Sequence, residues 1–270
     1  TLDDWPAWIY PQGLLSPYLR WKTDLELRAL FRKAALRYAH APGMQQAFAA
    51  RYQLPFLPFY NLVDLEHWQQ LARKQWAASA PFRMLYVGRM GKANGVSLAD
   101  LCRCVQDLRE RGHDLVFDLF SPNYGEQLAQ DLADLDGITV HRPVPHSEIP
   151  AIIAGADLLV LPLDFDPGNI QFARYSMPSK MVDYMASGVP TLVYAPDQLA
   201  FTAYVRDEQC ASVVSERQDS ALTAAILQLV QDESLRQSLG QRAQVVAARN
   251  HDAKQGREAF RQELVRISTQ

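Results

Sequence analysis

The sequence predicts an α/β fold: a parallel sheet of about six strands with helices on both faces, joined to part of a second α/β domain. Three observations predict it. From about Phe82 onward, short β-branched or apolar runs alternate with amphipathic stretches. The apolar runs are too short and too apolar to be independent helices. Glycines stand where helices must stop, since Gly112 and Gly188 follow two of the amphipathic runs and Pro190 then bars continuation.

The expected strands are Arg83–Gly88, Leu115–Phe120, Ile138–His141, Leu158–Leu161, Thr191–Tyr194 and Ala211–Val214. Between them Val96–Arg111, Tyr124–Leu135, Ser147–Ala154, Pro178–Ser187 and Ala221–Asp232 carry apolar residues at helical spacing. Six parallel strands with crossover helices make a Rossmann-like sheet. Ser234–Thr269 reads as two helices broken near Asn250-His251-Asp252.

The first 80 residues differ. Leu25–Leu36 and Met44–Arg51 read as helices and Arg37–Ala41 and Pro55–Tyr60 as strands, with a helical connector through Trp68 and Trp76. Two strands cannot make a sheet with covered faces, so residues 1–62 are expected to be the remnant of an N-terminal domain and the chain a fragment. Residues 63–81 are then a linker, 82–250 the Rossmann-like domain, and 251–270 a C-terminal helix that packs back on the first domain.

Composition excludes several classes. A formal net charge of -3 argues against a general nucleic-acid binder, so any phosphate site must be local. Cys102, Cys104 and Cys210 lack the paired spacing of a zinc site or disulfide framework, and no metal site is expected. With no run of about 18 apolar residues and no basic, apolar start, a cytoplasmic protein is expected.

Four segments could carry chemistry. In Ser176-Met-Pro-Ser-Lys-Met-Val-Asp-Tyr-Met-Ala-Ser-Gly188, Ser176 can cap a helix and Pro178 fits its first turn. The free amides and positive dipole end attract an anion, with the Ser179 hydroxyl and the Lys180 charge beside them. A cation there opposes the dipole, a cost that a bound diphosphate reverses; an exposed, tolerated lysine is the plainer alternative. Asp183 is either a ribose acceptor or a helical partner of Lys180. The loop Gly88-Arg-Met-Gly-Lys-Ala-Asn-Gly95 lets backbone approach phosphates and adds Arg89 and Lys92, but it matches no dinucleotide fingerprint or P-loop. Val144 and His146 lie in a strand-to-helix segment whose backbone could read a flat base. Asp164 and Asp166 are acid/base, metal, sugar-hydroxyl or backbone-acceptor carboxylates in a turn-rich loop.

From about Phe82 to Asp232 the order of these segments resembles the C-terminal, nucleotide-sugar-binding domain of GT-B glycosyltransferases, especially the retaining family-4-like group. Asp183-Tyr-Met-Ala-Ser-Gly-Val-Pro190 is similar to the second half of that family's Glu-x7-Glu-Ala-Met-Ala-x-Gly-x-Pro segment. The resemblance implies diphosphate contacts at Gly88 and Arg89 and a ribose contact at Asp183. The family's usual Lys-Gly falls on Asn94-Gly95, leaving Lys92 as the nearby cation, and its first Glu, which holds a sugar hydroxyl, falls on Tyr175. A Pro-Ser-Lys helix start recurs in bacterial surface-polysaccharide transferases. Tyr38–Tyr52 with Pro55–Asn61 looks like the end of the family's acceptor-binding domain, so no catalytic base is named.

The resemblance therefore implies a metal-independent transferase without a cofactor. It would move a sugar from a UDP- or GDP-sugar donor to a glycan or lipid-linked acceptor, with Arg89 and Lys180 stabilising the leaving diphosphate. It also leaves room for peripheral association with the inner face of the membrane through the N-terminal domain. A nucleotide-sugar epimerase or hydrolase on the same scaffold, and a non-catalytic module with a degenerate site, are the alternatives.

Overall fold

The computed structural model describes residues 10, 13–123 and 126–269. Tyr124, where one helix was expected to start, and residues 1–5 lie outside the described residues.

The N-terminal unit comprises α1 (Ser16–Lys33), β1 (Tyr38–Ala39), α2 (Ala41–Tyr52) and β2 (Leu57–Pro58), with β1 and β2 parallel. Helix α1 starts well before the expected Leu25, because Pro17 sits in the first turn, where its missing N–H is no loss. Both strands shrink to two residues. Phe31, Met44, Phe48, Tyr52 and Phe56 form a separate small core, with Phe31 edge-on to Tyr52 and Phe56 at 4.9 and 5.1 Å. The connector is a single turn, α3 (Leu65–Trp68), capped by Asp64, which accepts from the Glu66 and His67 amides. No helix continues to Trp76. Its indole instead donates to the Gly188 carbonyl at 2.9 Å, holding the linker against the main domain.

The main domain runs β3 (Phe82–Val87), α4 (Gly95–Glu110), β4 (Leu115–Phe120), α5 (Gln127–Ala133), β5 (Ile138–His141), α6 (Ile149–Ala154) and β6 (Leu158–Pro162). It continues through α7 (Pro167–Ala173), α8 (Lys180–Ser187), β7 (Thr191–Tyr194), α9 (Ala200–Asp207), β8 (Ser212–Val214), α10 (Asp219–Gln231), α11 (Glu233–Asn250) and α12 (Ala253–Ser268). Helices α7 and α9 were not expected. The first is only seven residues, and the second follows a turn too close to its strand for a periodic pattern to stand out.

All six long-sheet strands are parallel, in the order β5-β4-β3-β6-β7-β8. The chain therefore winds outward from β3 to one edge, then returns to build the other half from β6. The crevice beyond the carboxyl ends of β3 and β6 is the topological switch point, where open α/β sheets bind ligands. Leu85, Leu159 and Val193 point to the face covered by α8, α9 and α11, and Met84, Phe117 and Leu192 to the face covered by α4, α5 and α10.

Two crossings join the units. Val63 donates to the His251 carbonyl at 2.8 Å and accepts from Ala253 at 3.0 Å. The fully buried His251 ring links the Asn61 carbonyl through Nδ1 (2.8 Å) and the Tyr204 hydroxyl through Nε2 (2.9 Å). Beyond it, Phe260 of α12 lies 5.6 and 6.0 Å from Tyr38 and Phe59. A neutral Nδ1–H tautomer satisfies both contacts; a second proton displaces the hydrogen that Tyr204 donates. Burial lowers the His251 pKa below its ordinary 6.5. The unfolded chain then binds more protons below that pH, so this contribution to stability is present above about pH 6.5 and lost as pH falls. Melting temperature is expected to fall with acidification below pH 6.5, and His251→Gln, which cannot titrate there, is expected to flatten that slope in calorimetric scans.

Candidate functional site at the switch point

Strand β3 delivers Tyr86 and Gly88 to the crevice. Tyr86 is fully buried among apolar side chains, and a buried phenol needs partners for its hydroxyl. It donates to the Arg89 carbonyl at 2.7 Å and accepts from Asn94 Nδ2 at 2.6 Å and from Lys180 Nζ at 3.0 Å. The Asn94 amide also donates to the Arg89 carbonyl, and its oxygen accepts from the Gly91 amide at 3.0 Å. Asn123 clasps Met90 through both backbone groups. The glycine-punctuated loop is thus fixed from beneath, while the Arg89 and Lys92 side chains are exposed.

Helix α8 begins at Lys180, two residues later than expected. The residue at the cap position is Ser179, two residues after the Met177 that a start at Pro178 implies, and it already has helical dihedrals and makes no side-chain capping bond. Met181 and Val182 donate to the Pro178 and Ser179 carbonyls, a tight turn that ties up two amides of the first turn. The charge at this helix end therefore comes chiefly from Lys180, which does not point outward. It bends back under the loop, half-buried, with Nζ 4.3 Å from the Tyr86 ring centroid. A Cβ on Gly88 would lie 2.1 Å from that nitrogen, and Gly88 has φ +149, so glycine is required for the two to meet. Among the described residues no carboxylate forms a salt bridge with Lys180. Burial lowers its pKa to about 8.

Asp183 forms no salt bridge with Lys180. It lies near Trp68, His146 and His67, and has its pKa raised by burial. Val144 lines a cavity of about 120 Å³ with Val87, Gly88, Phe120 and Ile149, an apolar slot beside the loop, while His146 is exposed where a short 3-10 turn begins. Of the sites expected, Gly88, Arg89, Asn94 and Lys180 meet around Tyr86. Val144 lines the slot beside Gly88; Lys92, Ser179 and His146 are exposed; and Asp183 lies near Trp68.

The Asp164–Asp166 loop resolves into the backbone-acceptor alternative. Asp164 is buried and accepts from the Val96 and Ser97 amides at 3.3 and 2.7 Å, capping α4 from across the crevice. Asp166 caps α7 through the Gly168 and Asn169 amides. Among the described residues no cluster of His, Cys, Asp and Glu is arranged to hold a metal ion. Tyr175 packs against the aromatic core of the N-terminal unit, with the Arg174 guanidinium 5.6 Å from its ring. Two contributors escaped sequence reasoning. Tyr86 looks like any inward strand residue, and only the polar end of an otherwise apolar position hints at its role; Trp68 gives no local signal.

Solved structures share this architecture. The chain aligns with sucrose-phosphate synthase from Thermosynechococcus elongatus at 16% identity and TM-score 0.67, over 92% of this chain and 62% of that one. WaaG, a glycosyltransferase involved in lipopolysaccharide biosynthesis, aligns at 17% and 0.57 over 86% and 65%. HepE of Anabaena, solved with UDP and glucose, aligns at 16% and 0.66 over 94% and 69%. The chain thus spans under two thirds of the first two proteins. A comparison with curated protein sequences found no match. The family model described as Glycosyl transferases group 1 matches residues 81–232, which is more than half of the chain and contains Tyr86, Gly88, Arg89, Asn94 and Lys180; the chain belongs to that family.

Proposed function

We propose that the crevice binds the diphosphate of a nucleotide-sugar donor and that Lys180 and Arg89 stabilise the charge that develops on it as the glycosyl bond breaks. The observation that carries this is Lys180. A half-buried ammonium without a carboxylate, held under a glycine-walled loop at the switch point, is costly unless an anion arrives. The Val144 slot lies on the side where a base would stack, and Asp183 where a ribose hydroxyl would reach a carboxylate. The donor is a UDP- or GDP-sugar, in keeping with the UDP and glucose bound by HepE. The two cations supply the charge that a metal provides elsewhere, so the reaction runs without one, with retained configuration as the family resemblance implies. The acceptor is a glycan or lipid-linked sugar of bacterial surface polysaccharide, a reading supported by the likeness to WaaG. It would be met by a cytoplasmic enzyme at the inner membrane face.

Calorimetric titration with UDP and GDP tests the site. One of them is expected to bind, in the presence of a chelator, with an affinity that is level between about pH 7, where the terminal phosphate is ionised, and about pH 8, and that falls above it. The sign follows because the diphosphate binds the protonated lysine, whose free-state pKa is about 8. Binding by neither nucleotide would remove the proposal, and a flat profile to pH 10 would remove Lys180 from it.

A further inference from the structure

Next to the phosphate centre lies a second cavity, of about 180 Å³, whose walls run from Ala93 to Leu199 and belong wholly to the main domain. Leu163, Phe172, Ala173, Met177, Pro178 and Leu199 supply most of its wall, and Pro178 is two residues from Lys180. Of its three polar residues, Ser176 adds one hydroxyl to the wall, and the other two are turned to the protein. Asp164 holds the Val96 and Ser97 amides, and Asn169 donates to the Lys92 carbonyl and to Asp166. Tyr175, the nearest residue that could have been a carboxylate, packs into the N-terminal aromatic core instead.

Resting on the donor reading above, we infer that this cavity receives the donor's sugar and selects a 6-deoxyhexose. Three points commit the cavity to the donor rather than the acceptor. It is formed by one domain, it continues from the segment that carries Lys180, and it sits at the same carboxyl-end crevice as the glycine-punctuated loop. A hydroxymethyl group placed there gives up its water partners for methyl and ring carbons, and an unmade hydrogen bond to a buried hydroxyl is what a site of this kind discriminates by. A methyl group in the same place loses nothing and gains apolar contact. The size suits the assignment, because the space exceeds a methyl group and admits a portion of the sugar ring.

The test uses matched donors that differ only at carbon 6: UDP-glucose against UDP-6-deoxyglucose, and GDP-mannose against GDP-6-deoxymannose. Each is titrated calorimetrically into the whole chain beside free UDP or GDP. In the pair whose free nucleotide binds, the deoxy donor is expected to bind about tenfold more tightly, equivalent to about 1.4 kcal/mol. Equal affinities, or preference for the hydroxylated sugar, overturn the inference while leaving the diphosphate site standing. Absence of binding by both free nucleotides overturns the donor reading and this inference with it. In Ala173→Phe, which fills the cavity, the difference within the pair is expected to vanish; its persistence would place the sugar elsewhere.

Discussion

Lys180→Ala is expected to lower affinity for the bound nucleoside diphosphate by at least tenfold, with little loss of fold stability. The two effects separate because the lysine's interactions are unequal. Toward the protein it offers one hydrogen bond and a cation–π contact, both to Tyr86, whose hydroxyl keeps Asn94 and the Arg89 carbonyl when the lysine is gone. Toward a diphosphate it offers a charge-assisted contact in a partly desolvated crevice, worth about 1.5–3 kcal/mol. Removing the ammonium also removes the cost of burying it, so the melting temperature of the free protein is expected to hold or rise. Lys180→Arg distinguishes charge from shape: Gly88 leaves room for a slim ammonium, and a planar guanidinium must compete for the same space. Calorimetry on the three proteins checks this, and undiminished binding by Lys180→Ala would refute the phosphate assignment.

The largest expected stability effect lies away from the crevice. Gly240 is buried on α11 where that helix crosses the end of α8, and a Cβ there would lie 2.2 Å from the Gly188 carbonyl oxygen and 2.3 Å from the Trp76 indole nitrogen. Those two atoms are hydrogen-bonded to each other at 2.9 Å, so neither can yield without breaking that bond. Gly188 is itself the left-handed residue that ends α8, with φ +69. Gly240→Val therefore has to push α11 away from both α8 and the linker. Overpacking of this kind costs about 1–3 kcal/mol or more, and in a chain of this size each kcal/mol lowers the melting temperature by about 2–4 °C. Gly256→Ala is the control. Its added carbon meets only the end of the Leu62 side chain, which can rotate aside, so a much smaller change is expected. Equal shifts in the two variants would show that the close approach at Gly240 matters little.

The main domain was legible because its strands are buried on both faces and its helix stops are marked by Gly112 and Gly188. All six strands match in place, and the break between the last two helices falls at His251 as Asn250-His251-Asp252 implied. What failed was local capping logic. Ser176 and Pro178 have the right chemistry for a helix start, yet α8 begins two residues later. The site was legible as residue types near strand ends, not as geometry. Nothing in the order Tyr86, Asn94, Lys180 says that one phenol hydroxyl gathers the other two side chains, because that juxtaposition is made by the β3–β6 switch. His251 carries no site signal in the sequence and yet joins the two units, since its partners Asn61 and Tyr204 are far away in the chain.

The paired crossings at Val63 and Asp252 also set how the two units can move. A single covalent tether lets one body swing and spin on the other. Two tethers side by side, laced by Val63, His251 and Ala253 and by the ring of His251, behave like the two knuckles of a door hinge. Rotation about the chain axis shears those hydrogen bonds, whereas folding about the line through both crossings leaves them whole. Even that folding is opposed, because the Met177 carbonyl takes hydrogen bonds from His40 and Asn61, and Tyr175 packs on the N-terminal aromatic core, so the two units are held at the crossings and across the cleft together.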